Sequence, residues 1–407
     1  MVITWEQRKL NNFVDKAVDN RGKTPPLDKE GNHPLIEVMA LGNRNPNYKK
    51  VEKYLNDDTF NHFLRDYLKE GDILFSTVGN IGMVSLMDKN LNAAIAQNIV
   101  GFRAKDGYSP DFLYALFSVQ KNKKKVLRIV MGAVQPSIKV SQLINVEYNV
   151  SENFEEQKQI GSLFKKLDGL ITLHQRKLEH VKKLKAGLLQ KMFPKDGESI
   201  PEVRFPGFTD PWEQRKLGCI MSSLQNNTLS RADLSDEQGV AFNVHYGDIL
   251  VKFGSYLNVK KEKLPMVQDS SILSKYKNSF LKNGDVVFAD TAEDESVGKC
   301  SEIANISNEI IISGLHTMPY RPQVKFASGY LGYYLNAETF HRQLWPLMQG
   351  IKVTSISKSA MNNTLIEYPK DILEQSKIAN VFLGIDNLIT LHQRKLNTLK
   401  RIVVTID

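Results

Sequence analysis

Two cysteines in 407 residues, Cys219 and Cys300, are too few for a disulfide framework or a cysteine-rich zinc site. No apolar run reaches the roughly 20 residues that a membrane helix needs. The opening residues, MVITWEQRKL, are charged early and lack the apolar centre of a secretory signal. The expectation is therefore a cytoplasmic protein with no membrane partner. Acidic residues are scarce in one stretch: between Gln157 and Lys195 only Asp168 and Glu179 oppose ten Lys/Arg. That single segment holds most of the chain's net charge of +9, which points to an anionic partner.

Signatures of catalysis are also missing. Gly22-Lys23-Thr24 looks like the end of a phosphate-binding loop, but the upstream glycine would fall at position 17, which is Ala17. Asn45-Pro46-Asn47-Tyr48 approximates the Asn-Pro-Pro-Tyr loop of adenine-N6 methyltransferases. No glycine-rich cofactor loop precedes it, and Val78-Gly79-Asn80-Ile81-Gly82 is not one, so it reads as a turn. Asp290, Glu293, Asp294 and Glu295 crowd one polar loop, whereas a metal-dependent nuclease gathers carboxylates from separate elements. The histidines show no ligand spacing. The sequence argues for no catalytic residue, metal or cofactor in this chain.

What the chain does have is repetition. Leu170-Ile171-Thr172-Leu173-His174-Gln175-Arg176-Lys177-Leu178 returns unchanged at Leu388–Leu396, an offset of 218 (388 − 170). Trp5-Glu6-Gln7-Arg8-Lys9-Leu10 returns at Trp212–Leu217, an offset of 207 (212 − 5). The chain is thus two half-length copies with insertions between the matched ends. Each copy closes on a long amphipathic helix. Ile160, Phe164, Leu167, Ile171, His174, Leu178 and Val181 alternate spacings of four and three, the seam of a coiled coil, with Lys185 filling a later slot. Ile378, Phe382, Ile385, Ile389, His392, Leu396 and Leu399 repeat that seam. Some 40 residues at 1.5 Å rise give a rod of about 60 Å. Glu155, Glu156 and Ser151 suit the start of the first helix, and Phe193-Pro194 its end. The two seams most simply pack on each other. An antiparallel pair with a pseudo-two-fold axis is expected, with the seam histidines as packing or register residues.

The resulting layout is a globule over 1–150, a helix over 151–194, a Pro/Gly-rich linker over 195–211, a second globule over 212–370 and a second helix over 371–407. The globules are α+β. Apolar runs entered from Gly-Asp turns, at 71–75 and 284–288, read as strands, and Pro110–Lys125 and Ser328–Gln343 read as helices. Basic and amide-bearing loops occupy matching places. In the first half they supply Arg21, Lys23, Thr24, Asn43, Arg44, Lys49, Lys50, Gln135, Ser137 and Lys139. In the second half they supply Asn226, Asn227, Arg231, Lys252, Tyr256, Gln349, Lys352 and Ser355. Lys and Arg suit phosphates, while Asn, Gln and Arg suit base edges, so these are the candidate DNA contacts.

With these motifs together, the chain resembles the specificity (S) subunits of type I restriction-modification systems. The carriers are WEQRKL opening each half, the Gly-Asp strands, the loops at Gly132 and Gly350, and the helices EEQKQIGSLFKKLDGLITLHQRKL and LEQSKIANVFLGIDNLITLHQRKL. The resemblance implies two target-recognition domains, each reading one half of a bipartite site in double-stranded DNA. It implies helices that set the unread spacer and dock two modification (methyltransferase) subunits, with restriction (translocase/nuclease) subunits as further partners. S-adenosylmethionine, ATP and Mg would then serve the partner subunits, not this chain. The competing readings are a stand-alone DNA methyltransferase or nuclease, and a coiled-coil scaffold with no DNA role.

Overall fold

The computed structural model describes residues 5–20, 25–90, 92–132, 134, 136–350 and 352–406. The chain divides into two compact units, residues 1–176 with 392–407, and residues 177–391. Each unit is a mixed α/β globule carrying a portion of both long helices.

In the first unit, the opening strand Trp5–Lys9 pairs antiparallel with Glu147–Ser151, the strand that leads into the first long helix. A four-stranded sheet follows in the order Val14–Asp19, Ile99–Ala104, Ile73–Ser76, Val84–Leu86. A smaller sheet orders Tyr54–Leu55, His33–Ile36 and Ala94–Ile95. Phe13, Phe75, Phe102, Phe117 and Tyr148 pack into one core, which supplies most of the drive for folding this half.

The second unit repeats the plan with an additional strand. Glu213–Lys216 pairs antiparallel with Leu365–Tyr368, again ahead of a long helix. The registers agree across the repeat: Glu6 faces Val150, and Glu213 faces Tyr368. These partners are separated by the same offsets of 207 and 218 seen in the sequence. The central sheet has five strands, Met221–Ser223, Thr317–Pro322, Val286–Ala289, Cys300–Ala304 and Tyr256–Asn258, the last added in parallel at the edge.

Two helix expectations need correction. Residues 110–125 do not form one helix but Pro110–Ser118 and Gln120–Leu127, divided where Val119 turns to extended backbone (ψ 128°). Residues 328–343 divide into Tyr330–Leu335 and Glu338–His341. The physical reason is the same in both halves. An asparagine amide takes over a carbonyl released at the break, Asn122 to Leu116 O at 2.9 Å and Asn336 to Gly332 O at 2.7 Å.

The long helices span Phe154–Lys191 and Ile372–Ile406. The first is capped by Asn153, whose Oδ1 accepts from the amides of Glu155 and Glu156, and not by Ser151, which closes the preceding strand. The seam holds on both helices. Phe164, Leu167, Leu178, Ile378, Phe382, Ile385 and Leu396 are buried, and Ile160, Ile171, His174, Val181, Ile389, His392 and Leu399 are half-buried. Within the second unit the helix portions run antiparallel, since Lys185 bonds Asp386 at 2.6 Å while Phe193, further along, stacks on the earlier Phe382. Within the first unit His174 Nδ1 lies 3.0 Å from His392 Nδ1, so one ring donates and the other accepts.

Candidate nucleic-acid interface

Each unit builds the same frame under its loops. Asp72, after the Gly71 turn, is 1% exposed and accepts from Arg103 Nε at 2.8 Å and from a second guanidinium nitrogen at 2.7 Å. Asp285 and Arg321 repeat this bidentate pair at 2.9 and 2.6 Å. The carboxylates are buried, but Arg103 and Arg321 stay 36% and 23% exposed, so the pairs are only partly removed from water. A second device joins each long helix to its globule. Gln157 accepts from Ser109 N at 2.9 Å and donates to Ser151 O at 2.8 Å, while Gln375 accepts from Ala327 N at 2.9 Å and donates to Pro369 O at 2.8 Å. All three positions shift by 218. Sequence reasoning missed this pair, although Glu-Gln recurs at the same offset inside the quoted helices.

On that frame each unit sets a short glycine hairpin. Met131 and Ser137 exchange backbone hydrogen bonds at 3.0 and 2.9 Å around Gly132 (φ 90°). Gln349 and Ser355 do so at 3.0 and 2.8 Å around Gly350 (φ 113°). Such a positive φ favours glycine, and a Cβ at Gly350 would sit 2.0 Å from the Val353 carbonyl oxygen. Ser137 also bridges to Val78 and Ser355 to Thr291, so each hairpin rests beside the segment leaving a central strand. The tips differ between copies: Val134 is fully exposed, and its counterpart Lys352 is exposed and cationic.

The other candidates separate by what holds them. Asn43, Lys49, Lys50 and Lys139 are exposed in the first unit. Lys49 and Lys50 end a short turn capped by Asn47. In the second unit Arg231 is exposed but paired with Asp236 at 2.7 Å, and Lys252 lies over the Phe253 ring and bonds the Lys263 carbonyl. Asn226 donates to Gly314 O at 3.2 Å. Tyr256 is half-buried within the added edge strand. Two residues expected at the DNA are committed to the fold. Arg44 forms an ion pair with Asp111 and covers Tyr114, and Asn227 is 1% exposed with its amide on Ser313 O. Both were chosen by residue type; Asn227 is buried, while Arg44 is half-buried and held by its ion pair. Arg21, Lys23, Thr24 and Gln135 lie outside the described residues.

The weak motifs take structural places. Asn45 donates to Leu86 O, and Tyr48 donates to Asp88, as turn contacts. In the acidic loop Asp290 accepts from Thr291 Oγ1 and Asp294 from Ser296 N. Among the described residues no group of three or more His, Cys, Asp or Glu is arranged to hold a metal ion, and no helix is long and apolar enough to cross a membrane. Lys185 is explained by its surroundings. Its ammonium lies over the Tyr333 ring and bonds Asp386, to which Tyr333 also donates at 2.7 Å.

The chain is similar to several known proteins. Residues 3–183 match the family described as "Type I restriction modification DNA specificity domain". The chain is 24% identical over 407 residues to the type I restriction enzyme MjaVIII specificity subunit of Methanocaldococcus jannaschii, covering 96% of this chain and 88% of that protein. It is 26% identical over 223 residues to the putative MjaX specificity subunit of the same organism, covering 53% of this chain and 52% of that one. Among solved structures, the type I restriction-modification S subunit from M. genitalium aligns with a TM-score of 0.59 at 15% identity, over 99% of this chain and 95% of that one. A chain from a structural study of assembly and conformational transition in a type I restriction-modification system aligns with a TM-score of 0.53 at 16% identity, over 100% and 97%. These two likenesses concern the fold. Residues 3–183 thus match a type I restriction-modification specificity domain, and over nearly its whole length the chain is similar to a type I specificity subunit.

Proposed function

We propose that this chain is the DNA sequence-specificity subunit of a type I restriction-modification complex and is itself non-catalytic. Each unit reads one half of a bipartite duplex site, and the long helices set the unread spacer and dock two modification subunits, with restriction subunits as further partners. S-adenosylmethionine, ATP and Mg belong to those partners. The observation that carries this reading is the glycine hairpin, placed identically on two matched frames yet bearing different residues at its tip. A conserved frame under divergent tips is what two readers of different half-sites require. The identical LITLHQRKL segment supports the docking role. Ile171, His174 and Leu178 account for its seam, but Leu170 and Leu173 in one copy and Leu388 and Leu391 in the other stay about 45% exposed.

The test is domain exchange. Replacing residues 212–370 with those of another specificity subunit, and assembling the chimaera with its modification partner, should change one half of a split protected site. A change in both halves, or in neither, overturns the reading. Insertions near Lys185 should alter the spacer and leave the half-sites intact. Tight binding of S-adenosylmethionine by the isolated chain in equilibrium dialysis would favour the stand-alone methyltransferase instead.

A further inference from the structure

The second unit closes an aromatic socket with its own chain. Phe193 is 0% exposed, with its ring 5.5 Å from Tyr334, 5.8 Å from Phe382 and 6.2 Å from both Trp212 and Tyr330. Arg204 holds the segment down by donating to both carboxylate oxygens of Glu374 at 2.7 and 2.9 Å, and Trp212 is left 5% exposed. The internal repeat maps the four socket residues onto Trp5, Phe112, Leu116 and Phe164. The frame of the socket is kept, since Trp5 meets Phe112 edge-on at 5.9 Å as Trp212 meets Tyr330 at 6.2 Å.

Among the described residues this socket is open in the first unit. Trp5 is 46% exposed, and the same four residues line a groove of about 340 Å³. Glu156, at the position of Glu374, accepts from Trp5 Nε1 and from Ser151 and meets no arginine among the described residues. The rim has changed in charge. Lys121 and Lys125 border the groove where the second unit has Thr339 and Gln343. Burial, Lys121 and Arg128 pull the Lys125 ammonium below its ordinary range against the opposing charge of Glu147, and its Nζ donates to the Glu147 carbonyl oxygen at 2.9 Å.

We propose that this groove is a docking site for a partner polypeptide that inserts a phenylalanine between Trp5, Phe112, Leu116 and Phe164 and sets acidic side chains against Lys121 and Lys125. The phenylalanine follows from the Phe193 plug that fills the duplicate socket, and the acidic flank follows from the two lysines that the duplicate lacks. The assignment is independent of DNA binding.

The test uses the full chain and labelled peptides in fluorescence anisotropy. One peptide has the sequence of residues 186–195, a second carries Lys191→Glu and Lys195→Glu, and a third carries Phe193→Ala. The first two should bind saturably, the acidic one at least 5-fold tighter at low salt, and the third at least 10-fold weaker. Leu163→Trp, made at an exposed residue of the groove mouth, should abolish binding without changing the melting temperature, and Lys121→Glu should remove the preference for the acidic peptide. No saturable binding, or binding indifferent to both Phe193→Ala and Leu163→Trp, overturns the proposal. Self-association in sedimentation velocity that Leu163→Trp abolishes would assign the groove to a second copy and overturn it equally.

Discussion

Replacing Gln157 by leucine keeps a side chain of similar bulk and removes both ends of the latch between the first long helix and its globule. Ser109 N–H loses its acceptor at 2.9 Å, and the Ser151 carbonyl loses its donor at 2.8 Å. Gln157 and Ser151 are 0% exposed and Ser109 is 7% exposed, so water has little access to replace either bond. A buried backbone group left unpaired costs about 1–3 kcal/mol, giving roughly 2–6 kcal/mol for two. Added apolar burial returns about 1 kcal/mol, leaving a loss of about 3 kcal/mol. For a unit of this size that is a fall of roughly 6–12 °C in melting temperature. Calorimetry of the full chain measures the loss, and hydrogen exchange at residues 107–113 locates it. Gln375→Leu should produce the matching loss at Ala327 and its neighbours. A loss below about 1 kcal/mol in both variants, with exchange at Ser109 and Ala327 unchanged, would refute the latch.

Four further outcomes are expected. Gly350→Val should weaken binding of the second half-site about 10-fold, because the positive φ and the nearby Val353 carbonyl forbid a side chain without deforming the hairpin; footprinting of each half-site checks this. Lys49→Ala and Lys50→Ala should weaken binding to all sequences alike, each lowering the salt dependence by about 0.9 in a titration of the assembled complex. Burial raises the Glu302 carboxyl from 4.5 to about 7, against opposing amide bonds from Gly329 and Gly332. Its folded pKa is above the unfolded one, so the native state holds the extra proton and stability falls as pH rises from 4.5 to about 7. Chemical denaturation across that window should show a decline of about 3 kcal/mol that Glu302→Gln flattens; an unchanged slope would remove Glu302 as its source. Lys185→Met should destabilise the second unit by about 1–2 kcal/mol in thermal melts, since Asp386 keeps only its Tyr333 hydroxyl.

The repeat, the two α+β halves and the heptad seams follow from sequence because they rest on local periodicity. An alternation of four and three places Phe164, Leu167 and Leu178 on one face whatever surrounds them, and the Gly-Asp turns announce the strands at 73 and 286. Residue type alone did not decide which polar groups face solvent. Arg44 and Asn227 have the chemistry of DNA contacts, yet Asp111 and the Ser313 carbonyl, distant in sequence, claim them. The breaks at Val119 and Asn336 depend on where an asparagine amide finds a carbonyl in the folded core. The Gln157 and Gln375 latches were visible only as two more identical letters until strand, loop and helix met around them. The socket is the clearest case, because Trp5 and Trp212 open the same six-residue motif. Only packing makes one buried against Phe193 and leaves the other at an open groove, for burial is a property of what the fold brings against a side chain.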